Sequence, residues 1–75
     1  MEKLREIVSS VLVVPNDDNL ENLSADNCED WTSIAQVTLV VEIENEFNIE
    51  LDTDEAMNMD SFAKIKEILA NHGIN

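Results

Sequence analysis

Seventy-five residues is about half of a ~150-residue average domain, so residues 1–75 can form one small domain, which excludes a multi-domain enzyme. Hydrophobic residues make up 44% but aromatics only 4%, and one Gly and one Pro cannot supply the turns of a sandwich or barrel, which leaves an all-α fold. Seventeen acids against four bases give a formal charge of −13, which repels phosphate backbones and anionic lipid head groups and argues against nucleic acid and membrane insertion.

The opening Met1-Glu2-Lys3-Leu4 has no apolar signal core, and no apolar run approaches the ~20 residues of a membrane span, so a cytoplasmic protein is expected. Leu4, Ile7, Val8, Val11 and Leu12 recur at spacings of three and four and predict a first helix over about residues 2–13, stopped by Pro15. Residues 14–32 show no sustained period. They read as a long loop in which Leu20, Leu23 and Trp31 could pin the chain across the bundle; loops beyond about 12–15 residues tend to be functional or disordered. Cys28 within it has no disulfide partner, no CxxC neighbour and no clustered histidine, which fits a reducing compartment and predicts no metal site.

A second helix is predicted from about Ser33 to Phe47. At 100° per residue its apolar arc is wider than one core face needs and divides into two stripes. Leu39, Val40, Ile43 and Phe47 form one; Ile34, Val37 and Val41 form the other, beside Glu44. Either both stripes are buried, or the first is core and the second is a docking surface edged by carboxylates. Asp52-Thr53-Asp54-Glu55 then reads as a capping box opening a short third helix of about six residues. Asp60 or Ser61 caps a last helix that buries Phe62, Ile65, Ile68 and Leu69 and closes at Gly73 as the C′ residue, with His72 as a surface histidine near its negative end. The expected architecture is a small four-helix bundle of three longer helices and one short one, with a long loop between helices 1 and 2.

Catalysis finds little support. The single histidine lies far toward the C-terminus, with no Ser-His or Cys-His pair in evidence, so no catalytic residue is assigned and the chain is not expected to be an enzyme. Asp52-x-Asp54 starts like a calcium loop but lacks the turn glycine and the closing acid of that frame. Charge points elsewhere. From Glu6 to Asp60 there are fifteen acids and no base, a negative field that speeds encounter with proteins bearing basic patches. Ser33 stands where the second helix opens. Its hydroxyl could cap that helix, as could Thr32, or could carry a phosphate welcomed by the positive helix end.

The stretch Thr32-Ser33-Ile34-Ala35-Gln36-Val37-Thr38-Leu39-Val40-Val41-Glu42-Ile43-Glu44-Asn45-Glu46-Phe47, continued by Asn48-Ile49-Glu50-Leu51 and Asp54-Glu55-Ala56, resembles the acyl carrier proteins. The likeness is close over about residues 30–62 and extends to the whole chain in length, helix order and acidity. It implies a carrier that holds acyl intermediates as thioesters on a 4'-phosphopantetheine arm, with Ser33 matching the attachment serine, in fatty-acid, polyketide or related biosynthesis. It further implies loading by a separate phosphopantetheinyl transferase from coenzyme A with magnesium, and docking of a monomer to acyl-loading and acyl-processing enzymes through Ile34, Val37, Val41, Glu42 and Glu44. Thr32, Ile34 and Ala35 depart from the family's usual Asp, Leu and acid around the serine, which suggests a carrier dedicated to one pathway. Asp60-Ser61-Phe62 resembles the family tripeptide locally, but it opens the last helix and reads as a cap. The competing reading is an unmodified acidic helical adaptor or regulatory protein of the same shape.

Overall fold

The computed structural model describes residues 2–74, and its helices follow the hydrophobic period of the sequence. They are α1 (Glu2–Leu12), α2 (Ser33–Phe47), α3 (Thr53–Met57) and α4 (Phe62–Asn71), with one turn of 3-10 helix at Leu20–Asn22. Three longer helices and one short one make the expected four-helix bundle, with no named strand among the described residues. None of these helices is long and apolar enough to cross a membrane.

The apolar spacing of α1 turns Leu4, Val8 and Leu12 into the core, with Ile7 and Val11 packed at its margin. Its end is strained. Val13 adopts a positive φ of 54° with its side chain 87% exposed, a left-handed geometry that a β-branched residue takes at a cost. Local bonds hold it there: the Val14 N–H donates to the Ser9 carbonyl at 3.1 Å, and the Ser9 hydroxyl donates to the Val14 carbonyl at 2.5 Å.

The long loop is anchored as its three apolar residues suggest. Leu20 and Trp31 are buried and Leu23 packs against the core. Polar ties add to this, because the Ala25 N–H donates to the Asp60 carbonyl at 2.8 Å and the Phe62 N–H to the Leu23 carbonyl at 3.0 Å, lacing the loop to the start of α4. Arg5 reaches from α1 to the Asn16 side chain, the Asp17 carbonyl and Glu21.

α2 buries Leu39 and Ile43 fully, and Val40 and Phe47 pack against the same core, so the first stripe is the core stripe. After it the chain turns through Asn48, whose φ of 54° is one that asparagine tolerates. The Glu44 carboxylate then accepts from the Leu51 N–H at 2.8 Å. α3 opens with the predicted capping box: Asp52 accepts from the Glu55 N–H at 2.7 Å, and Glu55 accepts from the Asp52 N–H at 3.2 Å. It is five residues long and buries none of them. α4 is capped by Ser61, which accepts from the Lys64 N–H at 3.1 Å, and buries all four expected residues before Gly73 takes its positive φ. Met59, between α3 and α4, completes the core without having been marked by any periodicity.

Candidate functional site

Thr32 and Ser33 are equally good capping residues by type, and the backbone decides between them. Thr32 is extended, and its hydroxyl accepts from the Ala35 N–H at 3.1 Å, so Thr32 is the N-cap. Ser33 becomes the first helical residue. It is exposed, and among the described residues nothing is hydrogen-bonded to its hydroxyl. The reading in which Ser33 caps α2 is therefore corrected: an extended Thr32 aims its oxygen at the first-turn N–H groups, and a residue already helical cannot.

The first turn of α2 holds no acidic side chain, so the partial positive charge of the helix end is not neutralised from within. Beside it, Ser33 lines the mouth of a groove of about 530 Å³ between α2 and α3. The walls are Val37, Val40 and Val41 on one side and Leu51, Ala56 and Met57 on the other. The volume falls in the ~300–1,000 Å³ range of small-molecule pockets, and the lining is mostly apolar.

The second stripe of α2 is exposed. Ile34 is 80%, Val37 64% and Val41 49% accessible, one above another at helical spacing, and Val37 and Val41 also line the groove. Met57, 70% accessible, extends the apolar rim from α3. Apolar side chains grouped in this way mark an interaction surface more than scattered ones do. Glu42 is exposed on the same helix. Glu44 is half-buried, and one of its carboxylate oxygens is engaged by the Leu51 N–H, so it closes the turn after α2 while contributing charge to that face.

Three features at or near the site escaped the sequence. The Gln36 amide, one turn after Ser33, donates to the Ala56 carbonyl at 3.0 Å and the Met57 carbonyl at 3.2 Å, joining α2 to the end of α3. His72, expected as a simple surface residue, places Nε2 2.8 Å from Glu55 Oε2 and so joins the end of α4 to α3. Met57 is an exposed groove wall. None of them has a sequence signal, because each depends on which turn of α3 faces which neighbour.

Chemically the site offers an unbonded primary hydroxyl at a positive helix end and an apolar groove leading away from it. The lone imidazole is committed to Glu55 at the far end of α4, and Cys28 is half-buried in the loop. Among the described residues no group of side chains could hold a metal ion. Among the described residues no side chain is hydrogen-bonded to the Ser33 hydroxyl.

A family model described as a phosphopantetheine attachment site matches residues 2–69. No curated protein and no solved structure matches the chain.

Proposed function

The chain belongs to the family of phosphopantetheine-attachment domains, and we propose that Ser33 is the residue through which it carries the group. Such a domain is the site of covalent 4'-phosphopantetheine attachment on a serine, and the chain is a carrier protein domain.

One observation carries the choice of serine. Two serines stand where long helices open, and their hydroxyls are in opposite states. Ser61 is half-buried, accepts from the Lys64 N–H, and bridges to Ser24. Ser33 is exposed, and its capping duty has passed to Thr32. The residues at Ser33 fit the group: a phosphodiester there would lie at the positive end of α2, whose first turn holds no acidic side chain, and Ser33 also lines the apolar groove. When bound, the arm supplies a terminal thiol that holds acyl groups as thioesters.

The chain's own residues then bind and present. Val37, Val40, Leu51 and Ala56 offer an apolar shelter beside the attachment point. Ile34, Val37 and Val41, with Glu44 on the same helix and Glu42 on the flank toward α1, meet a phosphopantetheinyl transferase and the acyl-loading and acyl-processing enzymes of fatty-acid, polyketide or related biosynthesis. Partners with basic patches dock there rapidly and weakly, as electrostatic steering favours. The protein works as a cytoplasmic monomer and catalyses nothing itself.

Incubation with a broad-specificity phosphopantetheinyl transferase, coenzyme A and magnesium is expected to raise the intact mass by one arm. Ser33→Ala abolishes the gain and Ser61→Ala keeps it. No adduct on the wild type, or an adduct retained by Ser33→Ala, overturns the assignment, and the former leaves an acidic adaptor of carrier shape.

A further inference from the structure

We propose that Gln36 is the latch of the α2–α3 groove and selects which tethered group may enter it, an inference that rests on Ser33 being the attachment point. α3 is held by unusual means. It is five residues long and buries none of them, so it lacks the apolar anchors that fix the other helices. Its attachment is polar: the Glu55 carboxylate meets His72 at 2.8 Å, and the Gln36 amide donates to the Ala56 and Met57 carbonyls at 3.0 and 3.2 Å.

The Gln36 tie differs from the other in position. Both of its acceptors belong to the last two residues of α3, whose side chains are groove walls, and Gln36 itself lines the groove one helical turn beyond Ser33. The Ala56 carbonyl also accepts from the Met59 N–H at 3.4 Å, so the amide adds a second bond there and ties the Met57 carbonyl, left without an intrahelical donor at the helix end, with its other N–H. A group tethered to Ser33 must therefore pass beside this cross-link. With the amide bonded, α3 stays against α2 and the groove accepts a slim, unbranched apolar chain. A wide cargo can enter only if both bonds open. Few apolar contacts and solvent-reachable hydrogen bonds are the marks of a segment that opens locally at low cost.

The test begins on the unmodified protein. In Gln36→Ala and Gln36→Glu, which remove the donors, hydrogen exchange at the Ala56 and Asn58 amides is expected to speed up about fivefold or more, the scale of a net hydrogen bond. Exchange at Leu39 and Ile43 stays as in the wild type. Ser33 is then loaded, with intact mass as the check, using coenzyme A analogues that bear octanoyl or its branched isomer 2-propylpentanoyl through a stable amide. In the wild type, octanoyl shifts the NMR signals of Val40 and Leu51 and the branched isomer does not. In Gln36→Ala both shift them, and Gln36→Arg, which brings N–H donors back, restores the discrimination. Unchanged exchange at α3, or faster exchange with the same cargo pattern as the wild type, overturns the latch. Failure to load any protein shows itself in the mass and overturns the carrier reading beneath it.

Discussion

Arg5 Nη1 lies 2.6 Å from one oxygen of Glu21, and Lys66 Nζ lies 3.4 Å from the other, so a single loop carboxylate joins α1 to α4. The hydrogen bond and charge of Lys66, with a further contribution from Arg5, hold the Glu21 carboxyl below the usual carboxylate range. A depressed folded-state value stabilises the fold at pH above the ordinary carboxylate pKa of ~4.3, and that contribution is lost as pH falls through the lowered value. The carboxylate is solvent-exposed, so the effect on overall stability is small. Lys66→Met and Arg5→Met are each expected to raise the Glu21 titration midpoint, as read from the Glu21 side-chain carboxyl signal by NMR. An unmoved midpoint in Lys66→Met contradicts the assignment.

Val13 carries strain that its sequence neighbours impose, since Pro15 and the Ser9–Val14 bonds end α1 at that point. Val13→Gly accepts the left-handed geometry freely, and the gain outweighs glycine's extra freedom in the unfolded chain. A net stabilisation of ~0.5–1 kcal/mol is expected, visible as a rise of several degrees in the melting temperature for a domain of this size. A fall in melting temperature shows that the Val13 side chain makes a contact worth more than the strain.

The two stripes of α2 predict opposite responses. Ile43 is fully buried, so Ile43→Ala costs ~2–5 kcal/mol and, against roughly 4–11 kcal/mol for a chain of this length, leaves the fold marginal in urea titration. Val37 is 64% exposed, so Val37→Glu leaves the unfolding free energy within about 0.5 kcal/mol of wild type while weakening partner binding. Equal destabilisation by the two contradicts the division into core and docking stripes.

A formal charge of −13 on so small a body opposes folding by self-repulsion. Added sodium chloride screens it, with a Debye length falling from ~30 Å at 0.01 M to ~8 Å at 0.15 M, and the melting temperature is expected to rise over that range. A flat melting temperature shows that repulsion is not a significant cost.

The residues that sequence pattern placed well are those whose partners are set by period alone. Leu4, Val8 and Leu12 in α1, and Phe62, Ile65, Ile68 and Leu69 in α4, face the core because a helix has one inward side. The capping box of α3 was legible because both members lie within one turn. The wide arc of α2 was legible as two stripes, yet their fates needed the packing: only the bundle shows which stripe it covers. Polar ties were not legible at all. Gln36 and Ala56 are 20 positions apart and Glu55 and His72 are 17, and nothing local distinguishes a glutamine or histidine with a distant partner from one without. Met57 and Met59 make the same point: one is a groove wall at the surface and the other is fully buried, two residues later.

Because Thr32 caps α2, esterifying its neighbour's oxygen takes nothing away from the helix. On the proposed assignment, the start of α2 keeps one backbone with the arm or without it, so at that point the attached state is marked by the appendage itself. An enzyme that must tell the two apart has to feel for the appendage itself, and one that grips only the helix will bind both and be inhibited by the empty form.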